Sequence, residues 1–466
     1  MGSLFNALGT ASQSLDVIQE AIGVVQNNVT NASTPGYVTQ SLNISSRSFD
    51  PSGNLFGGVE ASGVQDSRNV FAEQSVQSAN QQSGYTSQLS ANLNQLQQVF
   101  NVSGQGGIPS ALSSLYSAFS SWSADPSNVT AQQSVITAAQ GLSSSFAQTT
   151  SQVQQISSNT DTQLASSVSR LNQDTAQVAQ LNGEIRTSSG NDAGLQAQLY
   201  NTLQDISGLA NVTVNMQSDG TATLLLDGQS PLVQGTTQNQ VTLGFTNAAS
   251  PTAQLTMPDG TDVTALATQG SLGAGLNFRN TTIPAILSSG TPPGSLNQLM
   301  QGISDRVNTL LTGGQISAGP PAVSGVPLFV SSQNSLAVSP NITGSQLAAI
   351  SPGPPAVANG VATELASMAS PTNTADMING ASYTQVYGNI TTSVGQQTAA
   401  AKSADSINTS VLNQAESLRA QVSGVSLNAQ ASKLLQFQES YQASAQMIST
   451  INTMMQSLLT VMQQVA

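Results

Sequence analysis

The side chains that could carry out chemistry in this chain are its carboxylates, because the chain contains neither cysteine nor histidine. Disulfides, thiolate catalysis, most zinc sites and Ser-His or Cys-His nucleophile pairs are thereby excluded. The lysines, Lys402 and Lys433, do not stand at the Ser-x-x-Lys spacing. Two carboxylates can act together as acid and base, but the acidic residues are scattered singly. We therefore expect no enzyme, no cofactor and no metal site.

Composition excludes several classes of binding protein. The 466 residues include 9 Lys+Arg and 22 Asp+Glu, which gives a net charge of −13. Nucleic-acid binding and polybasic membrane anchoring both need a basic face, so we expect neither. No stretch approaches the roughly 20 apolar residues of a membrane span, and the first residues lack the pattern of a cleaved signal peptide. With only 7% charged residues, the surface must consist of Ser, Thr, Asn and Gln.

Both ends of the chain carry apolar residues at alternating steps of three and four, which is typical of coiled-coil helices. An isolated helix cannot bury such a stripe, and the simplest partner for each end is the other end. We therefore predict a helix pair between the two termini. Its predicted interface comprises Leu4, Leu8, Ala11, Leu15, Ile18, Ile22, Val25 and Val29 at the N-terminus, and Leu434, Phe437, Tyr441, Ile448, Ile451, Met455, Leu458, Met462 and Val465 at the C-terminus.

Between the termini, helical periodicity predominates and gives way to alternation in one segment. Leu164, Leu171, Val178 and Ile185 follow a seven-residue spacing, typical of a helical bundle. Near Val212 the pattern alternates, and Asp-Gly pairs predict hairpin turns. Predicted helices cover about 3–31, 70–100, 108–122, 127–187 with breaks, 195–209, 296–310, 377–422 and 427–466. Predicted strands lie within 212–226, 241–257 and 328–330, and 38–66 is predicted to be irregular or briefly extended.

The fold class predicted is therefore mainly α with a β-rich insertion. We expect three domains: a terminal coiled coil (1–40 plus 425–466), a helical bundle (41–205 plus 271–424) and a small outer β-rich insertion (206–270). The first two of these domains are each built from two chain segments that enclose the next domain in the sequence. This nested arrangement predicts an elongated multi-domain molecule. A compact helical bundle with a β insert fits the periodicities nearly as well.

A motif after the first helix resembles a known family. Residues 27–37 resemble the signature Asn-Asn-Ile-Ala-Asn-x-x-Thr-Pro-Gly-Tyr of bacterial flagellar axial proteins, a superfamily of rod, hook and hook-associated proteins. Residues 434–445 are similar to the closing helix of these proteins, so both motifs stand at their proper ends. The matching positions of the turn motif are Asn27, Asn28, Asn31, Thr34, Pro35, Gly36 and Tyr37.

Within the superfamily, the chain most resembles the hook-associated protein 1 family. Residues 58–64, 115–146 and 425–428 are similar to segments of that family. One departure is Thr39, which stands where a basic residue usually follows the Pro-Gly-Tyr turn.

The resemblance implies a structural role at the junction between flagellar hook and filament. It implies a homo-oligomeric ring on the hook tip, with the hook protein on one face and the second hook-associated junction protein on the other. It also implies an extracellular location, reached through the flagellar type III export system without a cleaved signal peptide. The amphipathic C-terminal helix is a candidate site for an export chaperone. The alternatives are another axial protein (hook, rod or second junction protein) or a secreted helical translocator or surface-binding protein.

Overall fold

The structure is a computed structural model that describes residues 2–50, 55–100, 106–188, 192–246, 251–319, 321–332 and 334–465. Long helices predominate, and all strand pairing is antiparallel in short sheets. The helices are α1 (Gly2–Thr30), α2 (Val70–Phe100), α3 (Gly107–Ala124), α4 (Val129–Thr187), α5 (Ala193–Leu209), α6 (Gly270–Asn277), α7 (Ile283–Leu287), α8 (Ser295–Gly313), α9 (Gly360–Ser367), α10 (Tyr383–Ser423) and α11 (Leu427–Val465).

The strands form hairpins and one larger sheet. A four-stranded sheet has the order β5-β6-β7-β8, and the other pairs are β1-β4, β2-β3, β9-β10, β11-β12 and β13-β14. Their bounds are β1 (Gln40–Ser46), β2 (Phe49–Asp50), β3 (Leu55–Phe56), β4 (Val59–Asp66), β5 (Val212–Met216), β6 (Ala222–Leu226), β7 (Ser230–Gln234), β8 (Thr237–Gln238), β9 (Thr242–Phe245), β10 (Ala253–Thr256), β11 (Gln315–Ser317), β12 (Val323–Ser324), β13 (Phe329–Ser332) and β14 (Ser335–Val338).

The chain divides into two compact units. The first comprises Met1–Ser83, Arg170–Gln240 and Asn408–Ala466, and the second comprises Gly84–Ser169 and Val241–Ile407. Helices α2, α4 and α10 contribute residues to both units. The mainly helical fold with a small β part is confirmed. The division into three domains remains a prediction. In the two compact units, β5–β8 belong to the first unit and β9–β10 to the second.

The first unit holds both ends of the chain. Helix α1 packs along α11 and also contacts the β1–β4 hairpin. In the four-stranded sheet, Leu224 and Leu226 are fully buried. Asn182 of α4 binds this sheet, because its Nδ2 donates to the Ala222 and Gly235 carbonyls at 2.8 and 2.7 Å and its Oδ1 accepts from the Ala222 amide.

The second unit contains the large hydrophobic core. Side chains from the second half of α2, from α3, from the first half of α4 and from helices α7 to α10 meet there. Trp122, the sole tryptophan of the sequence, is fully buried, and its Nε1 donates to the Pro126 carbonyl at 3.2 Å. Arg306 lies between two carboxylates, with its Nε 2.5 Å from Asp376 Oδ1 and its Nη2 2.5 Å from Glu364 Oε1.

Several elements differ from the sequence-based prediction. Helix α4 runs unbroken, where the prediction contained breaks. Several of its threonines donate their hydroxyls to the preceding turn, as Thr160 does to the Ile156 carbonyl at 2.9 Å, which is compatible with a continuous helix. Residues 38–66, predicted to be irregular or briefly extended, contain the paired strands of the β1–β4 hairpin, with a bulge between Leu42 and Ile44. Helices α6, α7 and α9 lie in segments for which no element was predicted.

Deprotonation of Tyr383 makes the stability of the second unit depend on pH in the alkaline range. Its hydroxyl donates to the Gly302 carbonyl at 3.1 Å, and the side chain is almost wholly buried. Burial, with the Asp376 carboxylate as a smaller cause, raises the pKa of Tyr383 to about 12. Above pH 10 the unfolded chain therefore loses this proton before the folded chain does, and stability falls as pH rises.

We predict that Tyr383→Phe lowers stability near neutral pH by about 1 kcal/mol, because one hydrogen bond is lost. Between about pH 10 and 12 the wild-type chain should lose an additional 2–3 kcal/mol, roughly, that the variant does not lose at this position. Urea unfolding followed by Trp122 fluorescence at several pH values measures both effects. Parallel pH profiles for the two proteins would contradict the prediction.

Candidate functional site at the joined chain ends

The turn after α1 is held by local hydrogen bonds. The Asn31 side-chain amide donates to Asn27 Oδ1 at 2.7 Å, and Thr34 Oγ1 donates to Asn31 Oδ1 at 3.2 Å. Pro35 is exposed at the tip. Gly36 has φ +73°, and a Cβ there would lie 2.5 Å from the Ala197 carbonyl oxygen of α5. The turn therefore needs glycine both for its backbone conformation and for its contact with α5.

Asn28 joins three parts of the chain. Its side chain is fully buried, and its Nδ2 donates to the Gln40 carbonyl at 2.8 Å and to Gln430 Oε1 at 3.1 Å. Its Oδ1 accepts from the Gln40 amide at 2.9 Å and from the Tyr37 hydroxyl at 3.0 Å. The end of α1, the strand after the turn and the start of α11 are thus bound through one amide. Burial raises the pKa of Tyr37, which keeps its hydroxyl protonated as a donor.

The junction between α10 and α11 is bound to the same region through main-chain groups. The Thr39 amide donates to the Ser423 carbonyl at 2.9 Å, and Thr39 Oγ1 donates to the Gly424 carbonyl at 2.7 Å. Ser423 Oγ accepts from the Asn69 amide at 3.1 Å. Thr39, the departure from the family pattern, therefore supplies a neutral donor to the carbonyls at the end of a helix.

A charged network lies beside the turn. Arg68 donates to Glu73 Oε1 at 2.7 Å and to the Gly36 carbonyl at 2.9 Å, and its guanidinium lies 3.7 Å from the centre of the Tyr200 ring. Arg419 Nη1 lies 3.3 Å from the other oxygen of Glu73. Glu73 is buried, so it depends on both guanidiniums to balance its charge. The network links α2 and α10 to the turn.

Helices α1 and α11 run antiparallel, because they pack along one another and Asn28, near the end of α1, meets Gln430, near the start of α11. Of the predicted interface, Ala11, Val25 and Ile451 are buried, and Val29, Leu458 and Met462 are exposed. The Val465 side chain lies outside the described residues. Leu4, Leu8, Leu15, Ile18, Ile22, Leu434, Phe437, Tyr441, Ile448 and Met455 are half-buried.

The buried face of α1 includes only part of the predicted stripe and extends to residues beside it. Val17, Ala21 and Asn28 are buried, since the β1–β4 hairpin covers a second side of α1. Sequence analysis did not predict the roles of Asn28 as a buried hub or of Arg68 and Glu73 as an ion pair. Two opposite charges five residues apart in a chain so poor in charge were the available signal for the ion pair.

A cleft of about 610 Å³ in the first unit is lined by matched charges rather than by a reactive group. Arg186 lies 3.8 Å from Asp219, and Arg68 lies 3.7 Å from Asp66. Hydrogen bonds from the Thr221 hydroxyl and amide lower the pKa of Asp219, which keeps it ionised. Among the described residues, no cluster of three potential metal-ligating acidic side chains occurs. Likewise, no described helix has the length and hydropathy needed to cross a membrane.

These features define a mainly helical protein whose first and last helices are bound to one another. Comparison with known proteins agrees. The family model for the Flagellar hook-associated protein FlgK helical domain matches residues 93–329, which are 237 of the 466 residues. The model for the Flagellar basal body rod FlgEFG protein C-terminal matches residues 419–461. The chain belongs to the flagellar hook-associated protein FlgK family, which confirms the resemblance carried by the terminal motifs.

Individual relatives share limited sequence identity with this chain. Flagellar hook-associated protein 1 of Salmonella typhimurium is 24% identical over 340 residues, 68% of this chain and 58% of that protein. The Bacillus subtilis protein of the same name is 29% identical over 125 residues, 25% of each chain. The matches thus span a quarter to somewhat more than half of these relatives' lengths. The solved structure of the flagellar hook junction protein FlgK from Burkholderia pseudomallei matches with a TM-score of 0.61 at 16% identity, covering 74% of this chain and 99% of that chain.

We predict that Asn28→Ala destabilises the first unit by roughly 2–4 kcal/mol, because buried partners on Gln40 and Gln430 lose their hydrogen bonds. Hydrogen exchange of the α1 amides should accelerate, whereas exchange in the core around Trp122 should not change. Gln19→Ala, also on α1, is the matched control: its side chain is exposed, so stability should change by no more than about 0.5 kcal/mol. Equal effects of the two substitutions would show that Asn28 is not the hub.

Proposed function

We propose that this chain is a structural component of the bacterial flagellum, a hook–filament junction protein that assembles as a ring on the hook tip and allows the filament to grow beyond it. Membership of the FlgK family supports this proposal, as do relatives named flagellar hook-associated protein 1 and flagellar hook junction protein. We propose no catalytic activity.

The observation that carries the proposal is the apolar surface of α11. Met447, Met454 and Val461 follow one another at seven-residue spacing and are 58%, 55% and 58% exposed. Leu459 and Met462 extend this surface towards the end of the helix. Helix α1 already packs on another face of α11, so these side chains remain available to neighbouring copies. A contiguous apolar surface of this kind marks a protein interaction site.

The partners proposed are further copies of this chain in a ring, the flagellar hook protein and the second hook-associated junction protein. The location proposed is extracellular, at the hook–filament junction, after export through the flagellar type III system. Neutral amide and hydroxyl groups dominate the exposed surfaces of α1 and α11. Such surfaces can be buried between subunits with little loss of charge hydration. Contacts between them should therefore depend little on salt.

The second candidate is another flagellar axial protein of the rod or hook. The match of residues 419–461 to the rod-protein C-terminal model favours a closing helix shared across axial proteins. The match over residues 93–329 to the FlgK helical domain favours the junction protein.

We predict that cells lacking this gene carry bare hooks and release flagellin into the medium, because the filament has no surface on which to start. Electron microscopy of the cells and an immunoassay of the medium measure both effects. Absent hooks would assign the protein to the rod or hook instead. Normal filaments would contradict any axial role and favour a secreted helical protein unrelated to motility.

Complementation of these cells tests the α11 surface. The variant Met447→Gln/Met454→Gln should be exported but should restore few filaments, because the apolar contact between copies is lost. Val330→Gln is the matched control: Val330 is 49% exposed on β13 in the second unit, and the change should leave filaments normal. Full restoration by the α11 variant would remove the main support for the proposal.

We further propose that an export chaperone binds α11 before assembly, since this helix presents an apolar surface without a partner of its own. A chain that ends before Leu427 should lose chaperone binding in a pull-down from cell extract. The matched control is the full chain with Asn28→Ala, which retains α11 and should still bind. Undiminished binding by the truncated chain would place the chaperone site elsewhere.

A further inference from the structure

The chain contains Asn-Gly at three positions: Asn182-Gly183, Asn359-Gly360 and Asn379-Gly380. Asparagine followed by glycine is open to an internal reaction, because glycine places no side chain between its backbone nitrogen and the preceding side-chain amide carbon. The reaction requires the asparagine amide to be free to rotate and the glycine N–H to be free of a hydrogen bond. The surroundings of the three pairs differ in both respects.

Asn379 and Gly380 form the tip of a tight turn in the second unit. Ile378 and Ala381 exchange two main-chain hydrogen bonds of 2.9 and 3.0 Å, which leaves the two residues between them outside the ladder. Both are exposed, with φ of +52° and +78°. Among the described residues, no hydrogen bond involves the Asn379 side chain or the Gly380 N–H. The space where a Gly380 Cβ would stand is open to beyond 4 Å.

The other two pairs are restrained. Asn182 makes three hydrogen bonds to Ala222 and Gly235, and Gly183 lies within α4, where its N–H is part of the helical ladder. Asn359 Nδ2 donates to the Ser123 carbonyl at 2.9 Å. The Gly360 N–H donates to the Val357 carbonyl at 3.1 Å. In both pairs, hydrogen bonds already hold the asparagine side-chain amide, which would be attacked, and the glycine N–H, whose nitrogen would attack.

We propose that Asn379 is a site of spontaneous deamidation in the folded protein. The Gly380 backbone nitrogen attacks Cγ of Asn379 and loses its proton, and the side-chain amide nitrogen leaves as ammonia, so a five-membered succinimide forms. One water then opens the ring at either carbonyl, which yields aspartate or isoaspartate. Overall, asparagine and water give a carboxylic acid and ammonia, with no oxidant, reductant or cofactor.

The modification alters a structurally coupled turn. It adds one negative charge to a chain of net charge −13, three residues from Asp376, which is buried beside Arg306. Isoaspartate also lengthens the main chain between Ile378 and Ala381. Ile378 packs against the core close to Gly302, where a Cβ would lie 2.7 Å from Ile378 Cδ1. The product turn can therefore no longer hold Ile378 in the same position.

The test is ageing of the full chain at mildly alkaline pH, with digestion and mass spectrometry of the three peptides at intervals. The same incubation in denaturant gives the deamidation rate of each Asn-Gly pair in the unfolded chain. In that state all three pairs should react at similar rates. In the folded chain, Asn379 should stay within about tenfold of its unfolded rate. The deamidation rate of Asn182 in the folded chain should be at least about 100-fold below its rate in the unfolded chain. Three hydrogen bonds must first open, and each slows the reaction several-fold.

Asn379→Gln is the matched variant, because glutamine would need a slower six-membered ring. It should abolish the acidic form seen by ion exchange and leave the Asn182 and Asn359 peptides unchanged. Protection of Asn379 equal to that of Asn182 in the folded chain would overturn the proposal. Persistence of the acidic form in Asn379→Gln would assign the modification to another residue.

Discussion

The first unit depends on joining two chain segments that are 402 residues apart in sequence, Asn28 and Gln430. For a flexible chain of that length, loop closure costs on the order of 5 kcal/mol. Packing of α1 along α11 offsets part of this cost. The buried amide of Asn28 adds a second property, because a polar group in a helix interface permits only the register in which its hydrogen bonds form. An apolar residue at this position would allow α11 to slide along α1.

Scarcity of charge shapes the remainder of the molecule. Each of the seven arginines lies within ion-pair distance of a carboxylate. The most buried of these pairs, Arg68–Glu73 and Arg306–Asp376, lie where several elements meet in the first and second unit respectively. These two buried pairs connect elements in the interior, whereas Arg47, Arg170 and Arg186 form their ion pairs at the surface. The exposed surfaces of α1 and α11 are mainly neutral or apolar, so the contacts proposed for them would depend little on salt.

The spacing of apolar residues and the positions of turn-forming and helix-ending residues predicted much of the fold. Helix α2 begins at Val70 and ends at Phe100 as predicted, because an apolar face and flanking polar segments delimit it clearly. The hairpin β5–β6 was predicted from alternation around an Asp-Gly turn. In contrast, residues 38–66 were predicted to be irregular or briefly extended, and their pairing into the β1–β4 hairpin was not predicted because its glycines and bulge obscure the alternation. The role of Asn28 was also beyond sequence reasoning. A heptad pattern follows apolar residues, whereas Asn28 is buried through partners, Gln40 and Gln430, that only the fold brings to it.

The two terminal helices have similar stripes but unequal surroundings. Helix α1 contacts both α11 and the β1–β4 hairpin, so Val17, Ala21 and Asn28 can be buried within one chain. Helix α11 contacts α1 on one face, and within the described part of the chain its buried side chains are Gln430 and Ile451. Its remaining apolar residues therefore gain little from folding alone and would gain from association. Unequal burial of two similar stripes therefore favours the C-terminal helix, rather than α1, as the surface for the proposed contacts between copies.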